Sequence, residues 1–156
     1  ASSVTGGKNN RATGDFSSII GGSDNIASAS SSSVTGGGQN KATSDRSSVT
    51  GGYGNEASAY VSSITGGRYN KALGKIGSSV TGGYGNIASG SDASVTGGIE
   101  NYADGSDSSI TGGYGNNASG DTSSITGGQY NTASGLFSSV IGGSSNEASG
   151  ENSNLP

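Results

Sequence analysis

The chain contains no His, Cys, Trp or Met, a single Pro, and only seven basic against eleven acidic residues in 156. Without His or Cys there is no ordinary catalytic triad, no thiol nucleophile and no zinc site. The net charge of −4 argues against nucleic acid as the main partner. No apolar run is long enough to span a bilayer, so no membrane insertion is expected. Missing Cys says little about compartment, because a stacked sheet needs no staple. Only 28% of residues are hydrophobic, a proportion that in an unpatterned chain would mean disorder. No signal peptide is legible, and the chain opens in phase with its repeat at Ala1, as a mature or excised piece would.

What the chain does have is glycine, 32 of them, and a repeated phrase, SSVTGGxxNxASGxx. Gly-Gly pairs begin at Gly6, Gly21, Gly36, Gly51, Gly66, Gly82, Gly97, Gly112, Gly127 and Gly142, a step of 15 residues everywhere except for 16 between Gly66 and Gly82. A period this short marks a solenoid, each repeat one coil stacked on the last. The expected fold is all-β: a parallel β-solenoid, a flattened β-roll of ten 15-residue coils in one domain over residues 1–156. The coils start near residues 2, 17, 32, 47, 62, 78, 93, 108, 123 and 138, with a tail at 153–156.

Numbering the slots of each coil 1 to 15 from Ser2 exposes the inward set. Slot 3 is always Val or Ile, slot 9 always Asn and slot 11 always Ala. Side chains alternate across a strand, so slots 2 and 4 face out around slot 3, and slots 10 and 12 face out around slot 11. The Gly pair at slots 5–6 separates the two strands and supplies backbone conformations closed to other residues, while Gly or a small residue at slot 13 makes the return bend. One Val or Ile and one Ala per coil form a very thin core. Backbone ladders and an Asn row bonded above and below must add to it. The extra residue, within Gly74-Lys75-Ile76-Gly77, falls in the return bend.

The outward slots fall into two kinds. Slots 7, 8, 10, 14 and 15 vary freely, carry nearly all charges and aromatics, and read as a surface under little geometric demand. Ten of the eleven carboxylates lie in such slots and Asp104 interrupts the mostly Ser or Thr slot 12, so no pair recurs at a catalytic distance and an enzyme is not expected. No cofactor or metal is implied. Slot 2 by contrast is Ser in all ten coils, and slot 4 is Thr in eight, with Ile20 and Ile141 as the exceptions. The candidate site is therefore an uncharged Ser-x-Thr lattice: Ser3, Thr5, Ser33, Thr35, Ser48, Thr50, Ser63, Thr65, Ser79, Thr81, Ser94, Thr96, Ser109, Thr111, Ser124 and Thr126. Its rows should lie ~4.7–4.9 Å apart between coils and ~6.6–6.8 Å apart along the strand. Thr has few χ1 choices, so its hydroxyl and methyl are in place before a ligand arrives. Hydroxyls in register can order a sheet of water that merges with ice. The plain alternative is that Ser and Thr suit exposed strands and keep the roll soluble.

The phrase NxASGxxSSVTGG resembles the head repeats of trimeric autotransporter adhesins (YadA-like heads), and it is also similar to the ice-binding β-rolls of grasses. Both resemblances imply a left-handed coil and a secreted or cell-surface protein. The grass-type resemblance implies ice or ordered water as partner. The adhesin resemblance implies self-association, as a trimer or as a subunit stacking end to end into a filament. The chain departs from both patterns: adhesin heads offer an apolar residue where this chain has Thr, no heptad stalk is present, and slot 11 is Ala where the grass proteins have Val. The ends show no obvious capping repeat beyond Ser153-Asn154-Leu155-Pro156, where Pro156 would stop the ladder, and that favours the structural alternative.

Other motifs point to less. The string GGYGN at Gly51, Gly82 and Gly112 is similar to calcium-binding GGxGxD turns, but Asn replaces Asp each time. Tyr53, Tyr69, Tyr84, Tyr114 and Tyr130 gather near slots 7–8, where they either stack with carbohydrate or shield the bend. The glycosylation sequon Asn117-Ala118-Ser119 faces outward. Residues 1–77 carry net +3 and residues 78–156 net −7, which either promotes end-to-end association or is drift on solvated slots.

Overall fold

The computed structural model of the chain describes residues 1–156 and contains strands, turns and bends but no helix. Each coil contributes two short strands. Slots 2–3 form the first, from Ser3–Val4 to Ser139–Val140, and slots 10–11 the second, from Arg11–Ala12 to Glu147–Ala148. They stack into an 11-stranded and a 10-stranded parallel sheet, every strand paired with its equivalents one coil away. The chain is thus a parallel β-solenoid of ten coils. Like pairs with like throughout, as in Val4 with Ile19 and Ala12 with Ala27. The 16-residue coil keeps this register, Ser63 against Ser79 and Ala72 against Ala88, because Gly77 turns with φ 67° and Ile76 bridges Tyr60, leaving the extra residue in the bend. A third ladder of single bridges runs along slot 7 from Lys8 to Ser144.

Two expectations are corrected at the backbone level. Ser153–Pro156 does not merely end the ladder: it supplies slots 1–4 of an eleventh coil, with Leu155 in the Val/Ile register opposite Val140. Nor are slots 8 and 15 under little demand. Both adopt left-handed conformations in every coil, including Phe16 (φ 57°), Val61 (φ 58°) and Tyr69 (φ 57°). A non-glycine residue there costs about 1–2 kcal/mol, so the sharp corners are held by the ladders around them and not by local preference. The side chain is free to vary; the backbone is not.

The inward set is as the spacing predicts. From the second coil on, Val and Ile of slot 3 and Ala of slot 11 form one continuous core of 19 buried residues that also includes Ala93, whereas in the first coil, uncovered on its outer side, Val4 is exposed and Ala12 only partly buried. The Asn row is buried beside it, and its bonds differ from an amide-to-amide ladder. Asn86 Nδ2 donates to the carbonyls of Gly82 (2.9 Å) in its own coil and Gly98 (2.9 Å) in the next, while its Oδ1 accepts the Asn101 backbone N–H (3.0 Å). Amide-to-amide bonds occur only from Asn101 to Asn86 (3.2 Å) and from Asn116 to Asn101 (3.1 Å). Buried turn carbonyls need donors, and the Asn side chain reaches them first.

Of the glycine pair, only slot 6 has a positive φ, 82–96° in all ten coils, and its missing Cβ lets the next coil's glycine approach. Slot 5 lies outside the left-handed region, and from Gly21 to Gly142 a Cβ there would meet nothing within 4 Å. Slot 1 holds a buried serine that the spacing alone does not assign. Ser17, Ser32, Ser47 and Ser62 donate to the carbonyl three residues back at 2.6–2.7 Å. In later coils slot 13 is glycine, and its N–H turns to the next coil's Ala carbonyl, as in Gly105 to Ala118 (3.1 Å). There the hydroxyls of Ser108, Ser123 and Ser138 are buried without partners, and Ala93 fills the same slot with no hydroxyl at all.

Candidate functional site

The Ser-x-Thr wall is the outer face of the 11-stranded sheet. Its serines lie in the strands themselves, Ser3, Ser33, Ser48, Ser63, Ser79, Ser94, Ser109 and Ser124 each opposite the slot-2 serine of the next coil. The threonines lie one residue beyond the strands, yet the ladder continues through them. The N–H groups of Thr5, Thr35, Thr50, Thr65, Thr81, Thr96, Thr111 and Thr126 each donate to the slot-3 carbonyl of the next coil at 2.9–3.1 Å. Register at slot 4 is therefore fixed from coil to coil, across the 16-residue coil as well.

The two rows are not equal. All eight threonines are exposed, whereas of these serines only Ser3 and Ser63 are fully exposed and the others are half-buried. The Thr row stands proud and the Ser row is the floor beside it. Ile20 and Ile141 project from the Thr row with 58% and 64% exposure, keeping the β-branched shape without a hydroxyl. On the other side of the Thr row runs the slot-5 glycine strip, which carries no side chain although neither φ nor neighbouring atoms require its absence. None of the sixteen hydroxyls is taken by a side-chain hydrogen bond; in the slot-2 row only Ser139, outside this set, is engaged, donating to Asn154 Oδ1 (2.6 Å). The wall thus presents hydroxyls and methyls in rows, uncharged, open to solvent and uncommitted.

The remaining surface has a different character. The slot 7–8 tyrosines stand on the corner of the bend, 37–54% exposed. Tyr69 packs edge-to-face between Tyr53 (5.7 Å) and Tyr84 (5.9 Å), and Tyr114 against Tyr130 (5.0 Å). Tyr130, and then the Glu100 carboxylate, push the Tyr114 phenol up to about 12. Arg46 lies over the Tyr60 ring and donates to its hydroxyl (3.0 Å). Asn117 of the sequon is in a strand and half-buried, its Oδ1 covered and without a partner. Nowhere do three or more carboxylates gather into a cluster that would hold a metal ion. No family model matches the chain, and no curated protein matches it.

Proposed function

We propose that the chain is an ice-binding protein that holds ordered water on its Ser-x-Thr wall, acting outside the cell, secreted or at its surface. One observation carries the reading: the threonine hydroxyls, unbroken over seven consecutive coils from Thr35 to Thr126, are exposed, in register and free of internal partners. Each is spaced from the next by ~4.7–4.9 Å through the backbone ladder. A single hydroxyl–water bond is weak against bulk water. A rigid row of them orders many waters at once, with side-chain entropy already spent in folding. The methyl groups between hydroxyls limit how water in the row can reorient, and the half-buried serines line its floor. Charges would tie water into hydration shells of a different geometry; the wall has none.

The test is thermal hysteresis and inhibition of ice recrystallisation by the purified chain. Thr81→Tyr, in the middle of the wall, is expected to lower the activity at least ~10-fold by breaking contact with a flat crystal, without lowering the melting temperature, since slot 4 is exposed. Full activity in that variant rejects the wall as the site. An inactive parent chain rejects the function. The competing reading is a structural surface protein, a trimeric adhesin-like head or filament subunit associating through the same face. Subunit interfaces have apolar centres, and this wall is hydroxylated everywhere but at Ile20 and Ile141, near its two ends, which favours water as the ligand. Light scattering separates the two readings: a dilute monomer that shapes ice supports the first, an obligate trimer or fibre without ice activity the second.

A further inference from the structure

The cleft of the molecule lies away from the threonine wall, between the slot-8 and slot-10 rows of coils 2 to 5. Its volume is about 340 Å3, and it is lined by Asp24, Gln39, Lys41, Gly54, Glu56 and Tyr69. Its origin is a missing side chain. Slot 8 reads Asp24, Gln39, Gly54 and Tyr69 in four successive coils, so Gly54 leaves a gap of about two ladder spacings, ~9.5 Å, between its neighbours. The Tyr69 ring leans over that gap: a Cβ on Gly54 would lie 2.7 Å from it. Lys41 and Glu56, adjacent in the slot-10 row, form the other wall.

We propose that this cleft is a saccharide subsite taking one neutral pyranose ring. Tyr69 is 46% exposed and held in place by Tyr53 and Tyr84, so it offers a preorganised aromatic wall for the C–H groups of a sugar. Side-chain pairs across coils join Asn9 to Asp24, Arg46 to Tyr60 and Ser89 to Asp104, and none engages Gln39, Lys41 or Glu56. The cleft therefore holds an uncommitted amide, ammonium and carboxylate side by side. An anion would face Asp24 and Glu56, a cation would face Lys41, and an apolar ligand would leave every one of these groups without a partner. Sugar hydroxyls donate and accept, and so satisfy both signs at once. The volume is at the small end of ligand sites, suited to a single ring.

The chain carries its own control. Tyr130 sits over Gly115 in the same way, with a Cβ there 2.9 Å from the ring, but slot 10 beside it holds Tyr102, Asn117 and Thr132, and no second cleft opens. Saturation-transfer NMR on the full chain, with the methyl glycosides of glucose, galactose, mannose and N-acetylglucosamine at about 20 mM, reads binding of the millimolar strength an open cleft supports. At least one glycoside is expected to receive transfer. Tyr69→Ala should cut the signal about tenfold, Glu56→Gln should weaken it, and Tyr130→Ala should leave it unchanged. Should Tyr69→Ala unfold, the pair of Glu56→Gln and Lys41→Ala decides alone. Transfer to none of the four glycosides overturns the proposal, as does a signal that survives the cleft variants or falls equally with Tyr130→Ala.

Discussion

Slots 4 and 10 each sit beside a buried slot: slot 4 follows the first strand of a coil and is exposed throughout, whereas slot 10 opens the second strand and is exposed or half-buried. Slot 4 contains Thr eight times and Ile twice. Slot 10 contains Arg11, Ile26, Lys41, Glu56, Tyr102 and Asn117 among its ten residues. Yet the slot-10 ladder is as regular as the other: Ile26 pairs beside Lys41, and Tyr102 beside Asn117, without a break in register. The backbone of this solenoid therefore accepts almost any outward side chain, and stacking alone does not demand Thr at slot 4. The proposed function accounts for that uniformity. The glycine pair divides the same way. Slot 6 is required by its conformation and by the coil above it, whereas slot 5 is glycine in every coil with neither requirement.

The comparison breaks altogether if what joins the two walls is removed. Asn86 bridges Gly82, Gly98 and Asn101, so Asn86→Ala removes four side-chain hydrogen bonds and is expected to cost about 4 kcal/mol. Denaturant melts should show that loss, and both surfaces should fail together. Within an intact fold, matched substitutions in one coil sharpen the contrast: Thr81→Tyr should abolish ice shaping while Ile87→Tyr, at slot 10 of the same coil, leaves hysteresis at the parent level. Equal losses from both would mean that the wall has no special standing. Gly82→Ala probes the bare strip beside the Thr row. Its methyl enters open space, so the unfolding free energy should stay within about 0.5 kcal/mol of the parent, with hysteresis reduced severalfold. A stability loss well above that would make slot 5 a folding requirement after all. The smallest effect lies at the bends. Ser62→Ala discards a bonded hydroxyl and should cost about 1 kcal/mol, whereas Ser123→Ala discards an unpartnered one and should be neutral or slightly stabilising in the same melt.

Much of this is legible in the sequence. The 15-residue period assigns Val and Ile, Ala and Asn to the interior, and the excess residue to the bend, because a one-slot error would expose every apolar side chain. The wall's membership was readable too, since alternation around slot 3 leaves slots 2 and 4 no other direction. The serine at slot 1 was not, because its burial depends on how closely the return bend of one coil nests against the next. Nor were the left-handed corners: Asn9 and Asp24 suit such a conformation, but Tyr69 and Val61 give no hint of it. Ser153-Asn154-Leu155 does carry a signal, standing in phase with slots 1–3, and Leu155 takes the apolar slot.

The sequence by itself determined the period, the inward set and the hydroxylated rows, since these follow from side-chain alternation and local repetition alone. The tertiary structure decided which rows stand exposed, where the Asn amides bond, which glycine is required, and that Gly54 opens a cleft under Tyr69. Those outcomes depend on contacts between residues 12 or more apart in the chain, such as Asn86 with Gly98 or Gly54 with Tyr69, and only stacking one coil on the next brings such residues together.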